Sequence, residues 1–527
     1  MSTSPSVSQP WWQTAVVYQV YPRSFQDSGQ DGVGDLPGLI QRLDYLAWLG
    51  VDALWISPFY PSPMEDFGYD ITDYCGVDPL FGTLADFDAL VARAHALGLR
   101  IILDFVPNHT SWQHPWFQAA HSSREHPQRD WYLWQDPSPS GGPPNNWRSV
   151  TGRSAWTLDA KSGQCYLHSF LPQQPDLNWR HPAVRAALFD AMRFWLKRGV
   201  DGLRVDMVDF LVKDELLRDE PDPEYVFPEA QYHLNRPETL DLLLELRAVT
   251  DEFPDRVLIG EIVPHLPVAQ VLPYYGPAGE RLHLPFNFAL LDAAFTAPGL
   301  RRVIGAYDGA LPPHAWPNYT LGNHDQPRLA SRFGSAGARL AALLLLTLRG
   351  TPFLYYGDEL GLPDTPVPGT QMQDPWEQVQ PGAGRDPERA PMPWDASLTG
   401  GFSPAPPWLP LAPGHEHLSV ETQRQDPASL LCLYRELLRL RRSHPALLQG
   451  EFQWHANSPD DVLAYIRAGT EPVLIALNFS QHPQHLDLPA GNWHSLVSTV
   501  TQDFPNSERS LTLRPFEGRL LGRATPE

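Results

Sequence analysis

Four segments of this chain repeat one grammar, and that grammar narrows the folds open to it. They are Trp48-Leu49-Gly50-Val51-Asp52-Ala53-Leu54-Trp55-Ile56, Leu97-Gly98-Leu99-Arg100-Ile101-Ile102-Leu103-Asp104, Arg198-Gly199-Val200-Asp201-Gly202-Leu203-Arg204-Val205-Asp206 and Arg349-Gly350-Thr351-Pro352-Phe353-Leu354-Tyr355-Tyr356. In each, an amphipathic helix ends, a glycine follows and an apolar strand begins. Glycine suits the left-handed conformation just past a helix end. A strand that is apolar without alternation belongs in a parallel sheet whose outer face helices cover. The helices agree: Leu36, Leu39, Ile40, Leu43, Leu46 and Leu49, then Leu84, Phe87, Leu90, Val91 and Ala94, keep a spacing of three or four.

Strands expected near residues 15–22, 53–58, 100–106, 202–208, 256–263, 285–291, 317–323 and 351–356 bring the number to eight. The economical fold is α/β, a (β/α)8 TIM barrel. Two connections are too long for simple loops. Residues 108–178, dense in Trp, Pro, Ser and Asn, read as an irregular insertion domain after the third strand, dividing the barrel into residues 1–107 and 179–447. Residues 361–413, rich in proline, follow the eighth strand, and both insertions belong to the C-terminal face of the barrel, where such folds keep their chemistry. Past the helix at 428–443 the pattern alternates, as in Val462–Arg467, Pro472–Asn478 and His494–Val500, so residues 448–527 read as an antiparallel β-sandwich domain.

At the strand ends stand three acids: Asp206, Glu261 after Val257-Leu258-Ile259-Gly260, and Asp325 in Asn323-His324-Asp325. One such acid is most often a helix cap or a loop ligand. Three, with Arg204, Asn108, His109 and His324 beside them, point to an enzyme. Net charge is −22 and Lys161, Lys197 and Lys213 are the only lysines, so no basic stripe exists to follow a phosphate backbone, and no nucleic-acid partner is expected. Nothing before Arg23 is basic, and the oily run at Leu340–Leu348, interrupted by Thr347, falls short of the roughly 18 continuous apolar residues of a membrane span. A cytoplasmic, monomeric protein with no membrane partner is expected. Cys75, Cys165 and Cys432 are odd in number and widely spaced, so buried free thiols are expected rather than a zinc site or a disulfide framework.

Taken together, these segments resemble the α-glucosidases of the α-amylase superfamily, glycoside hydrolase family 13, in the oligo-α-glucosidase branch. The markers are Asp104-Phe105-Val106-Pro107-Asn108-His109, Gly202-Leu203-Arg204-Val205-Asp206, Glu261, Asn323-His324-Asp325 and Gln174-Pro175-Asp176-Leu177-Asn178, in family order over nearly the whole length. The resemblance implies Asp206 as nucleophile, Glu261 as general acid/base and Asp325 as transition-state stabiliser, with Arg204 keeping the nucleophile ionised. A retaining pair of this kind stands about 5–5.5 Å apart. The substrate implied is a small oligosaccharide, with no cofactor in catalysis.

The same resemblance makes Tyr69, in Gly68-Tyr69-Asp70, the aromatic face beneath the terminal sugar, and pairs Asp70 with Arg389 to close the pocket beyond one glucose. His109 and His324 would hydrogen-bond that sugar. The loop Asp27-Ser28-Gly29-Gln30-Asp31-Gly32-Val33-Gly34-Asp35 is similar to a calcium loop, with Asp27, Asp31, Val33 and Asp35 as ligands of a structural Ca2+ (or Mg2+). Gly29 stands where relatives offer Asn or Asp. Met207, after the nucleophile, replaces the Val of α-1,6-selective relatives and the Ala, Thr or Gly of α-1,4-selective ones, and Thr151 replaces an aromatic residue at the rim, so linkage stays open. Sucrose and maltose isomerases share the acids; the arginine-rich loop of sucrose isomerases is not recognisable here. Silent transporter subunits of the superfamily lack the acids.

Overall fold

The computed structural model describes residues 9–222, 230–264, 266–500 and 509–523. Eight parallel strands form the central sheet: β1 (Val17–Val20), β2 (Ala53–Ile56), β3 (Arg100–Phe105), β4 (Gly202–Val205), β5 (Val257–Gly260), β6 (Leu284–Pro285), β7 (Asn318–Thr320) and β8 (Thr351–Tyr355), in the spatial order β7-β8-β1-β2-β3-β4-β5-β6. The helices between them include α1 (Leu36–Leu49), α2 (Leu84–Ala96), α3 (Pro182–Lys197), α4 (Pro237–Asp251), α5 (Ala297–Ala310) and α6 (Leu329–Thr347). The glycines of the repeated phrase all lie at positive φ: Gly50 at 101°, Gly98 at 76°, Gly199 at 96° and Gly350 at 127°. A Cβ on Gly350 would stand 2.5 Å from the Pro317 carbonyl oxygen, so that turn demands glycine on two counts.

Alternation along the strands sorts two cores. Val17, Ala53, Trp55, Ile102, Val257, Ile259, Leu284, Phe286 and Phe353 fill the barrel interior, and Tyr18, Leu54, Ile101, Leu103, Leu203, Val205, Leu258 and Leu354 face the helices. The ladder is open between β6 and β7, where side chains complete the ring. Asn318 Nδ2 donates to the Pro285 carbonyl at 2.6 Å, and Asn287 donates its backbone N–H to Asn318 Oδ1 at 3.0 Å and its Nδ2 to the Asn318 carbonyl at 3.1 Å. The strand expected over 285–291 is therefore much shorter. Pro285 cannot donate to a ladder, and Asn287 Oδ1 accepts from the Ala289 N–H at 3.1 Å, beginning the short helix Ala289–Asp292.

The insertion after β3 carries a three-stranded antiparallel sheet, Trp134–Gln135, Gln164–Leu167 and Trp156–Asp159. A buried lysine bolts it to the barrel: Lys213 Nζ reaches Asp176 Oδ2 at 2.7 Å in the insertion, Asn108 Oδ1 at 2.7 Å beyond β3 and the Phe210 carbonyl at 2.5 Å beyond β4. All three of its protons are used, which is what permits a buried ammonium. The C-terminal domain packs a five-stranded antiparallel sheet against the pair Gln484–Asp487 and Ser510–Leu513 around Val462, Ala464, Leu474, Leu486, Leu511 and Leu521. Its other face meets α6, which is long and apolar enough to cross a membrane by composition, yet has Leu340–Leu346 buried between barrel and sandwich. The cysteines are free; Cys165 is buried, and Cys75 and Cys432 are half-buried rather than buried.

Candidate active site

At the C-terminal ends of the strands lies a cavity of about 100 Å3 lined by Asp66, Tyr69, His109, Phe170, Asp206, Met207, Glu261, Asp325, Trp376 and Arg385. Backbone hydrogen bonds aim the acids: Asp206 N–H donates to the Phe105 carbonyl at 2.8 Å and Glu261 N–H to the Val205 carbonyl at 2.8 Å, so both side chains leave the sheet where its ladder ends. Arg204, two residues before Asp206 and 1% exposed, lies beneath them with its guanidinium 4.9 Å from the centre of the Trp55 ring. It donates to Asp206 Oδ1 at 2.8 Å and Asp104 Oδ1 at 2.5 Å, and its other amino group contacts Glu261 Oε2.

Three carboxyls thus share one cation. The two amino groups of that one guanidinium bring the Asp206 and Glu261 carboxyls side by side. Burial raises both groups, their mutual charge and Asp104 raise Asp206 further, and Arg204 opposes the rise in each. The two carboxyls therefore titrate as a linked pair, both above the usual carboxylate range.

Asp325 is the opposite case. Burial pushes its carboxyl up, but the His324 ring facing it and the guanidinium charges of Arg385 and Arg389, the two that persist at working pH, hold it well below the usual carboxylate range. Arg389 Nη2 lies 2.8 Å and Arg385 Nη1 3.1 Å from Asp325 Oδ1. This acid is ionised at any working pH. Its side chain, a third exposed, opens onto the cavity.

One wall of the cavity is a bonded cluster of residues other than those expected. Arg385 Nη2 donates to Asp66 Oδ1 at 2.6 Å, Trp376 Nε1 to the same oxygen at 2.9 Å and Gln174 Nε2 to Asp66 Oδ2 at 3.0 Å. Asp374 holds Arg385 from the other side through contacts of 2.7 and 3.0 Å. The expected Asp70–Arg389 pair does not form. Asp70 is fully buried, and its oxygens accept from Ser62 Oγ at 2.7 Å, Glu65 N–H at 2.9 Å and Asp66 N–H at 3.1 Å, so it braces the loop from behind. Arg389 binds Asp325 and the His324 carbonyl at 2.9 Å instead.

Tyr69 and His109 line the cavity as expected, but His324 does not. It is 1% exposed and stacks on the outer face of Tyr69 with ring centres 5.3 Å apart and planes at 6°. Gln19 Nε2 meets its Nδ1 at 2.8 Å, which assigns the proton to Nε2, facing Tyr69 Oη at 2.7 Å and Asp325 Oδ2 at 3.2 Å. Burial drives this imidazole down to about 3, so it is neutral. Its place is to orient Tyr69, whose hydroxyl donates to Asp104 Oδ2 at 2.9 Å. His109 is likewise held neutral, pushed to about 4 by burial. The rim aromatic is Phe170, 5.0 Å from the His109 ring, rather than a residue at position 151.

The Asp27–Asp35 loop departs from a cation site. The carboxyls of Asp27, Asp31 and Asp35 do gather around Gly29, each within 3.9 Å of where its Cβ would stand. N–H donors already occupy them: Gln30 at 2.8 Å and Gly32 at 2.9 Å on Asp27, Ser28 and Gly29 at 3.0 Å and Gly38 at 2.6 Å on Asp35, and Val33 at 2.9 Å on Asp31. Ser403 Oγ adds a bond of 2.6 Å to Asp27. Hard cations need oxygens facing inward, and among the described residues no group of three or more His, Cys, Asp or Glu is set to hold a metal ion. The set Asp27, Asp31, Val33 and Asp35 does not fit one in this arrangement. Dialysis against EDTA is expected to leave Tm within about 1 °C; a fall of several degrees reversed by Ca2+ would restore the cation reading.

Sequence reasoning missed Asp66, Trp376, Asp374 and Gln174, and gave Arg385 no role. The signal for Asp66 was its spacing of three from Tyr69 across a tight, glycine-bearing turn.

The alpha-amylase catalytic-domain family model matches residues 19–450. A probable alpha-glucosidase of Rhizobium meliloti (strain 1021) is 43% identical over 514 residues, covering 92% of this chain and 93% of its own. An oligo-1,6-glucosidase of Parageobacillus thermoglucosidasius is 35% identical, covering 97% and 98% respectively. Among solved structures, the alpha-glucosyl transfer enzyme XgtA superposes with a TM-score of 0.92 at 40% identity over 98% of this chain and 100% of its own. The trehalulose synthase MutB does so at 0.91 and 36%, with the same coverage.

Proposed function

The chain belongs to the α-amylase family, glycoside hydrolase family 13, and on that premise we propose that it is a retaining, exo-acting α-glucosidase, releasing glucose from the non-reducing end of short α-1,4- or α-1,6-linked glucosides. The observation that carries this reading is that Asp206 and Glu261 sit on one Arg204 guanidinium beside a cavity whose end, in this reading, Asp66, Arg385 and Trp376 close. An inverting pair needs about 6.5–9.5 Å between carboxyls to admit a water, whereas nucleophilic attack needs them close. A closed end admits one terminal sugar and turns away the middle of a polymer.

In this reading Glu261 carries the proton and Asp206, ionised against Arg204, engages the anomeric carbon. The C1–O bond breaks as Glu261 protonates the leaving oxygen, and Asp206 forms a glucosyl ester. Glu261, now ionised, takes a proton from water; the water oxygen attacks C1 and Asp206 departs as carboxylate. Two inversions give net retention. Asp325, ionised by its arginines, is suited to meet the positive charge that develops on the ring, a contribution to rate more than to ground-state binding. Arg204 stays charged throughout and steadies the ionised carboxylate of each step. No step asks for a cofactor.

On the leaving-group side the cavity offers Met207 and Phe170, which belong to an apolar cluster with Val150, Val263 and Leu266. Met207 sits at φ 40°, a strained conformation for a side chain with a Cβ, and lines the cavity beside Asp206 and Glu261. A soft, mobile wall of this kind suits either linkage. The likeness to XgtA and MutB supports a second reading, glucosyl transfer or isomerisation, with the same acids and a different acceptor.

Product analysis on maltose, isomaltose, sucrose and trehalose decides between them. Hydrolysis predicts steady release of free glucose that appears first as the α-anomer by NMR. Rearranged disaccharide as the main product would favour isomerisation, and β-glucose appearing first would defeat the retaining assignment.

A further inference from the structure

Glu261 has a second carboxyl near it that the reaction just described leaves unused. Asp209 lies three residues past Asp206, in the short turn Val208–Phe210, and is fully buried. Its Oδ2 accepts from the Val263 N–H at 3.1 Å, two residues past Glu261. One step back, the Val208 N–H donates to the Glu261 carbonyl at 2.9 Å. The loop bearing the nucleophile and the loop bearing the acid are thus stitched twice, once through backbone and once through this side chain. Asp209 Oδ1 has no hydrogen-bond partner among the described residues. A carboxyl used only as a loop clamp would ordinarily satisfy both oxygens or be an amide, since a buried charge with one donor is expensive.

We propose that Asp209 is a positioning residue for the acid/base: it ties the Glu261 loop to the Asp206 loop, and its charge holds the proton on Glu261 as the pH rises. The proposal rests on Glu261 being the acid/base of the preceding section. Burial raises Asp209 to about 7 against the pull of the Val263 amide, its own amide and Lys213, while Glu261 adds to the rise. Coupling of this kind is reciprocal, so an ionised Asp209 raises the proton affinity of Glu261 in turn. Other groups facing Asp209 are few. Lys213 stands on its own loop with its protons committed to Asp176, Asn108 and the Phe210 carbonyl, and Tyr274 approaches from the segment Leu272–Tyr275, its hydroxyl donating to Asn235 at 2.6 Å. Asn235 in turn donates its backbone N–H to the Asp209 carbonyl at 2.9 Å.

The sign follows. Below the Asp209 midpoint its charge is absent, and Glu261 keeps its proton through burial and the charges of Asp325 and Asp104 alone. Above it the charge is present, and Glu261 keeps its proton to higher pH than it would alone. Removing the charge moves the loss of the catalytic proton to lower pH, and with it the alkaline limb of kcat/KM.

The test is the pH profile of kcat/KM on the disaccharide that wild type hydrolyses best, a substrate whose poor leaving group needs the acid. Asp209→Asn keeps the shape and an oxygen for the Val263 amide, and is expected to shift the alkaline limb down by about one pH unit. Asp209→Leu, which also removes the clamp, is expected to lower kcat at the optimum beyond any loss in Asp209→Asn. An alkaline limb of Asp209→Asn that superposes on wild type overturns the proposal, and so does an equal loss in both variants at every pH. Glu261→Gln separates the two readings. Turnover of an activated aryl glucoside rescued by azide, which attacks C1 of the glucosyl ester and releases Asp206 as carboxylate, upholds Glu261 whatever Asp209 does. Wild-type turnover of the disaccharide by Glu261→Gln would instead sink the acid/base reading itself.

Discussion

Asp206→Asn is expected to lower kcat by about 10⁴-fold or more, the scale seen when a covalent catalyst is removed, while Tm stays level or rises by a few degrees. The loss follows from chemistry: the amide retains the size of the carboxylate and a contact with Arg204, but has no charge with which to attack C1. The stability side follows from the crowding around Arg204, where one guanidinium serves Asp104, Asp206 and Glu261, all of them buried. Three carboxyls on one cation repel one another, and a neutral isostere relieves that repulsion. Such a site is tuned for reactivity at the expense of stability. Differential scanning with and without substrate, beside single-turnover kinetics, checks both halves. Wild-type-like turnover would show that the nucleophile lies elsewhere, and a drop of ten degrees would show that the charge is structural.

What the sequence revealed of this site divides along one physical line. Residues on strands were readable, because a ladder fixes the backbone and alternation then fixes which side chain faces where. Arg204 and Asp206 share a face by being two apart, and Glu261 ends an apolar run as Asp206 does. The barrel itself was readable for the same reason, from glycines whose positive φ the helix ends require. The sixth strand was not, because Pro285 shortens it and the ring closes through the side chains of Asn287 and Asn318, which leave no periodic trace. Loop residues were readable only as a neighbourhood. His324 sits in the right motif but behind Tyr69. The loop from Asp27 to Asp35 carries the right acids but directs its own amides at them. In each case orientation, rather than identity, was the missing quantity, and orientation in a loop is set by local turns and distant partners together.

The pair Asp66 and Asp70 turns that missing quantity into a measurable contrast. Both flank Tyr69 in Asp66-Phe67-Gly68-Tyr69-Asp70, and either could be the carboxylate at the end of the pocket. Positive φ at Met64 (64°), Phe67 (44°) and Gly68 (102°) coils the loop tightly, and a Cβ on Gly68 would press to 3.0 Å from the Pro58 carbonyl. The coil sends Asp66 and Tyr69 into the cavity and Asp70 back into the loop. Asp66→Ala is therefore expected to lower kcat/KM on short oligosaccharides by at least about 10²-fold, because the terminal sugar loses a charged acceptor and Trp376 and Gln174 lose the atom that holds them. Its Tm should fall less than that of Asp70→Ala, since Arg385 keeps two contacts to Asp374 and one to Asp325, and the cavity can admit water to the Trp376 and Gln174 donors. Asp70→Ala should do the reverse. Ser62, Glu65 and Asp66 lose a buried acceptor, a loss of about 2–4 kcal/mol, so Tm falls by several degrees while kcat/KM stays within about tenfold at temperatures where the fold persists. Parallel melting curves and steady-state kinetics on the two variants test the closed pocket directly. If Asp70→Ala lost glucose recognition at unchanged Tm, or Asp66→Ala hydrolysed maltose and isomaltose as wild type does, the end wall would not be the one Asp66 and Arg385 build.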